Sequence, residues 1–272
     1  MKSGKEPAFA AAMGILLLGL LMAAPRHVTA QAVRGQTVSS GTSTGLAAID
    51  AAARDGKYLF IFFWKANDAQ SRSMYGVFQS AMDKWAESAD SVGIQITDTR
   101  EKPVVEKFDV SRAPMPLVVA LAPNGAVTKG LPIKFDEDQL REGFVSPCTA
   151  KCLKALQDRK IVLLCVQNER TQFSQVAWSG VQEFKADARF AQATEVVTLN
   201  PDDQAEAAFL HDLQVDPRTP QAVTVLLAPP GQPIGRFVGA VSKDRIVEKV
   251  ASAKSGPCAG GKCGPGGCGP KK

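Results

Sequence analysis

The chain is 272 residues long, carries a net charge of +5 and is 45% hydrophobic. Mild basicity with no basic stretch interleaved with aromatics argues against nucleic acid as a partner. The length leaves room for two domains of about 100 residues each.

Residues 1–30 read as a signal peptide. Lys2 and Lys5 precede the apolar run Ala8 to Ala24, and Val28-Thr29-Ala30 has the small–x–small character of a cleavage site. An uncleaved anchor is the competing reading, although a run of 17 residues is at the short limit for spanning a bilayer. Cleavage would release a protein with no membrane contact into the periplasm or the medium. Residues 31–45 are rich in Gly, Ser and Thr and are expected to form a flexible leader.

Tyr58 to Trp64 is a continuous run of strand formers, long enough for a central strand. Met74, Phe78, Ala81, Met82 and Trp85 then recur at helical spacing. Val92 to Thr97 reads as a strand, Lys102 to Phe108 as a short helix and Leu117 to Leu121 as a strand. Pro123-Asn124-Gly125 makes a turn, and Asp136 caps a helix reaching Phe144. The same order follows again. Lys160 to Cys165 is a strand, and Phe173, Val176, Ala177, Val181 and Phe184 form a helical face. Glu195 to Leu199 is a strand, Asp203 to Leu213 a helix, Val223 to Leu227 a strand and Lys243 to Ala251 a helix.

The two halves are copies. Pro114 pairs with Pro220, Gly125 with Gly231, Asp138 with Asp244 and Leu140 with Ile246, all 106 positions apart. Towards the front the separation is expected to shrink to about 101, which sets Cys165 against Trp64.

This order, with a proline before the third strand, resembles the thioredoxin-like superfamily. Gly56-Lys57 leading into Tyr58 to Trp64, then Met74 and Phe78, resembles its strand–active loop–helix segment, and Val110 to Pro114 the segment with its cis-proline. The resemblance implies an α/β fold of two tandem thioredoxin-like domains, each a central mixed sheet flanked by helices, at 46–147 and 148–255. Residues 256–272 follow as a flexible Cys/Gly/Pro-rich tail. Pro114 and Pro116 both qualify for the cis bond, and the fixed separation from Pro220 favours Pro114.

The chemistry of such a loop is absent. Thiol–disulfide exchange needs a thiolate and a second thiol to resolve the mixed disulfide. Asp68-Ala69-Gln70-Ser71 stands where the resemblance puts Cys-x-x-Cys, and Asn168 to Gln172 also lacks cysteine. Beyond the first 30 residues His211 is the only histidine, which removes support for His-based metal sites and His-assisted nucleophiles.

Cys148 and Cys152 fall at the junction of the copies, and Cys258, Cys263 and Cys268 lie in the tail, five apart. Three readings stay open for them. The tail thiols could hold copper or zinc, with Cys148 and Cys152 contributing. Disulfides could form, with Cys148–Cys152 as the local candidate. The tail could also be merely solvated. The expected function is therefore an exported, non-enzymatic binding or scaffold protein that docks a protein or peptide beside Trp64, Asp68, Ser71 and Pro114. The alternatives are a soft-metal binding or delivery protein and, third, an oxidoreductase working through tail thiols.

Overall fold

The computed structural model describes residues 43–254; the expected signal peptide, most of the leader and the tail lie outside them. The first element is helix α1 (Thr44–Asp55), which starts inside the stretch expected as leader. Ser43 caps it by accepting from the Leu46 N–H, and Gly56 ends it at φ 67, where a side chain would be strained. Then come β1 (Tyr58–Trp64), α2 (Ala69–Lys84), β2 (Ala89–Gln95), α3 (Lys102–Lys107), β3 (Leu117–Leu121), β4 (Val127–Pro132) and α4 (Glu137–Arg141). β1 pairs parallel with β2 and antiparallel with β3, and β3 pairs antiparallel with β4. The sheet order is β2-β1-β3-β4.

The second half repeats the pattern element by element. It runs α5 (Pro147–Gln157), β5 (Ile161–Val166), α6 (Ser174–Ala186), β6 (Thr194–Leu199), α7 (Ala207–Asp212), β7 (Val223–Ala228), β8 (Gln232–Val238) and α8 (Lys243–Lys254). Its sheet order is β6-β5-β7-β8, with the same strand directions.

Alternation along the central strands sends side chains to two cores per domain. Leu59, Ile61 and Phe63 pack with residues of α1 and α3, whereas Phe60 and Phe62 pack with α2 and α4. In the second half Val162, Leu164 and Val166 meet α5 and α7, while Leu163 and Cys165 meet α6 and α8. Each central strand is buried on both faces, which is why it reads as an unbroken apolar run.

Register corrects the alignment of the copies. Leu59 lies opposite Leu121, and Val162 opposite Leu227, so the central strands are 103 positions apart rather than about 101. Cys165 therefore corresponds to Phe62, and the counterpart of Trp64 is Gln167. A second correction concerns α6. Phe173 and Val176 are 49% and 55% exposed, and the buried residues are Ala177, Gly180, Val181 and Phe184. Phe173 precedes the helix at φ 63, so it is out of phase with the inward face.

One clamp occurs in both domains. The buried Glu101 carboxylate accepts from Ser43 Oγ at 2.6 Å and from the Thr44 and Gly45 N–H groups at 2.8 and 3.1 Å. Glu206, also buried, accepts from Ser146 Oγ and from the Cys148 N–H at 3.1 Å. Each carboxylate satisfies the free donors of a helix start and ties the first helix of its domain to the third. Between the domains, α5 lies against the β3–β4 hairpin. Gln157 accepts from the Val127 N–H at 2.9 Å and donates to its C=O at 2.7 Å, and Asn124 Nδ2 donates to the Ala150 C=O at 2.9 Å.

Candidate functional site

The loop between β1 and α2 is built around a helix cap. Asp68, in extended backbone at φ −82 and ψ 175, accepts from the Ser71 N–H at 2.7 Å. That bond, then the Ser71 hydroxyl, holds the Asp68 carboxyl below its ordinary value, so it stays ionised as an acceptor for the helix start. Ser71 is buried. Arg72 donates to the Asn67 C=O at 2.6 Å and fixes the loop from within. On the other side Gln70 Nε2 donates to the Ile133 C=O at 3.1 Å, and the Ile133 N–H donates to the Pro116 C=O at 2.7 Å. These bonds connect the loop to the segment before β3.

The cis bond in that segment is Met115–Pro116, not the bond before Pro114. Pro116 is buried and directly precedes β3, whereas Pro114 sits two residues earlier in exposed chain. The separation of 106 that links Pro114 with Pro220 links Pro116 with Ala222, so the repeat pointed to the wrong proline.

Beside the loop lies a depression of about 190 Å³ lined by Phe62, Trp64, Asn67, Ser71, Arg72 and Tyr75. Of the expected residues it gathers Trp64 and Ser71. Asp68 caps the adjoining helix and Pro114 does not line it. The Tyr75 ring lies over β2, where a side chain on Gly93 would be 3.9 Å from it. Phe62 forms the floor and meets Tyr75 edge-on at 5.3 Å.

A second depression, about 250 Å³, is lined by Gln167, Ser174, Gln175, Trp178 and Thr198. With the separation of 103, Gln167 matches Trp64, Ser174 matches Ser71, Gln175 matches Arg72 and Trp178 matches Tyr75. Both copies thus keep an aromatic ring one turn into the helix, beside a serine at its start. Tyr75 and Trp178 escaped the sequence reading. The available signal was their spacing of four from Ser71 and Ser174, which stacks each pair on one helix face.

The second loop differs in its closure. Thr171, which matches Asp68, is buried, and its Oγ1 lies 2.6 Å from Ser174 Oγ and donates to the Asn168 C=O at 2.8 Å. The Gln172 N–H donates to the Pro220 C=O, and Gln172 in turn accepts from the Ala222 N–H, both at 2.9 Å. The loop therefore occupies the backbone edge before β7. The matching residues of the first domain are Pro114 and Pro116, and Pro116 has no N–H, so the first loop cannot be held by the same pair of bonds.

Cys148 and Cys152 lie at the start of the second domain. They lie one turn apart in α5, both buried in the core of the second domain as free thiols, and Cys165 is a buried free thiol in β5. Burial pushes the Cys165 thiol up to about 12. Its neighbour Cys152, then burial, raises the Cys148 thiol as well. Among the described residues no three His, Cys, Asp or Glu side chains gather as a metal site, and no helix is long and apolar enough to cross a membrane. Cys258, Cys263 and Cys268 lie outside the described residues.

No family model and no curated protein matches the chain. Solved structures with similar folds include the germline-specific thioredoxin Deadhead from Drosophila melanogaster, at 20% identity and TM-score 0.31, over 38% of this chain and 91% of that one. Thioredoxin O2 from Arabidopsis thaliana is similar at 15% identity and TM-score 0.31, over 37% of this chain and 84% of that one. StoA from Bacillus subtilis is similar at 15% identity and TM-score 0.27, over 32% and 82%. The fold stands on topology: by the order and direction of its strands and helices, each half of the chain is a thioredoxin-like domain, and the two are joined in tandem.

Proposed function

We propose that the chain is a non-catalytic binding module built from two thioredoxin-like domains. One observation carries the reading. Where a thiol pair would stand, both domains place helix-start oxygens, Asp68 with Ser71 and Thr171 with Ser174, and both keep an aromatic-lined depression beside them. A carboxylate and a hydroxyl cannot form a disulfide, so the loops lack the electron-carrying bond that exchange requires. What they retain is a shaped surface of the kind that takes a protein or peptide segment. The signal peptide expected at residues 1–30 supports a site of action outside the cytoplasm, in the periplasm or the medium.

The test has two arms. The full chain should show no reduction of insulin disulfides, and a displayed peptide library panned on it should enrich sequences whose capture falls with Tyr75→Ala. Insulin reduction abolished by changing Cys148, Cys152 or a tail cysteine would overturn the non-catalytic reading. Enrichment indifferent to Tyr75 would remove the depression as the docking site.

A further inference from the structure

Strand β8 is the outer strand of the second sheet. Its pairing can be read from the open end of the hairpin, because the Gly239 N–H donates to the Ala222 C=O in phase with the Val223–Val238 register. Alternation then turns Gly235 and Phe237 towards β7 and leaves the N–H and C=O of Arg236 and Val238 pointing away from the sheet. Val238 is 58% exposed. Pro233 has no N–H, and the register shift between Leu226 and Leu227 interrupts pairing beside it, so the free edge is confined to Ile234–Val238.

A groove of about 630 Å³ wraps this edge. Leu213, Val225, Ile234 and Phe237 provide apolar lining. The charged rim is cationic from both faces of the sheet. Arg236, on the α7 side, donates to the Leu213 C=O at 2.7 Å. On the α8 side the Arg245 guanidinium lies 5.5 Å from the Phe237 ring centroid, and the stem of Lys249 lies over Gly235, where a side chain would collide with it. No ion pair engages Arg236, Arg245 or Lys249 among the described residues, and Glu248 is the one acidic residue of the lining. The first domain treats the matching place differently. There Lys129 of β4 pairs with Glu142, and Gln157 of α5 closes the strand edge at Val127.

We infer that the free edge of β8 is a docking site for an extended acidic segment of a partner protein, which adds to the sheet as a further strand. The backbone of Arg236 and Val238 supplies the ladder hydrogen bonds, and a row of carboxylates on either face of the added strand meets a cation, Arg236 on one face or Arg245 with Lys249 on the other. Charge decides between occupants. The chain's own residues 255–272 carry Lys262, Lys271 and Lys272 with no acidic residue, so they are repelled. A second copy would set Arg236 against the same cations, which disfavours self-pairing of edges. This site shares no residue with the two loop depressions, so its success or failure leaves the loop reading untouched.

The test is fluorescence anisotropy of the full chain with a labelled synthetic peptide alternating Glu and Val. A matched Lys/Val peptide and an N-methylated Glu/Val peptide serve as comparisons. The Glu/Val peptide should bind, more weakly as salt is raised, and the Lys/Val peptide should not. N-methylation, or the pair Arg236→Glu and Lys249→Glu with unchanged circular dichroism, should weaken binding by roughly tenfold or more. Absence of Glu/Val binding would overturn the proposal. Equal binding of the N-methylated peptide would reduce the site to an anion patch and overturn the strand. Binding that appears only after deletion of residues 255–272, or a dimer in analytical ultracentrifugation that Arg236→Glu dissociates, would name the wrong occupant and overturn it equally.

Discussion

Asp187 ends α6 and holds three side-chain donors together. It accepts from Arg189 Nε and Nη2 at 3.0 and 2.8 Å and from Lys243 Nζ at 2.7 Å, with its side chain only 11% exposed. Arg189 first, then Lys243, keeps its carboxyl far below the usual carboxylate range. The sign of the linkage follows. A carboxyl whose folded pKa lies below its unfolded value binds fewer protons when folded, so its contribution is full above the unfolded value, about 3.9, and declines as pH falls. The thermal midpoint of Asp187→Asn should therefore lie below that of the parent at pH 6. The gap should narrow as the pH is taken below about 4. A gap that widens in acid would show that the pair is not the source of the effect. Lys243 begins α8, so this one carboxylate also joins two helices of the same layer.

At the scale of elements, two glycines in matching helices have opposite expected roles. Gly180 in α6 faces the chain before α8, where a Cβ would sit 2.0 Å from the Val241 carbonyl oxygen. Backbone cannot give way as a flexible side chain can, so Gly180→Ala should destabilise by about 1–3 kcal/mol. Gly76 in α2 is exposed with nothing within 4 Å of such a Cβ, and Gly76→Ala should stabilise by about 0.5–1 kcal/mol. Chemical denaturation of both variants checks the pair, and equal effects would contradict the packing of α6 on α8. The central strands and α2 were legible in the sequence because burial on both faces, or on one helical stripe, leaves a strong apolar signal. The first helix of each domain was not. α1 is rich in Ala and follows a Gly/Ser/Thr stretch, and α5 opens on Pro147 with two cysteines at the junction of the copies. Both are held by Glu101 and Glu206, more than fifty residues away, and no local pattern announces such a contact. The site was half legible for the same reason. Trp64 and Ser71 came from the order of elements, whereas Tyr75 required knowing which way α2 faces β2.

For the whole molecule, the six cysteines separate into two populations, and that separation sharpens the metal alternative. Cys148, Cys152 and Cys165 are buried in the second domain; burial raises the thiol of Cys165, and neighbouring Cys152, then burial, that of Cys148, away from the thiolate that binds metal or attacks a reagent. A ligand set joining Cys148 or Cys152 to the tail would require α5 to leave the core that it shares with Leu164 and Leu210. Soft-metal capture, if the protein performs it, therefore falls to Cys258, Cys263 and Cys268. Under native reducing conditions a thiol reagent should modify three cysteines rapidly and all six only after unfolding. Uptake of Cu(I) or Zn(II) by the reduced chain should disappear when residues 256–272 are deleted, with the circular dichroism of the domains unchanged. Undiminished uptake by the shortened chain would exclude the tail as the metal site. Rapid native labelling of Cys148 or Cys152 would show that α5 opens, and would return those two thiols to the set of candidate ligands.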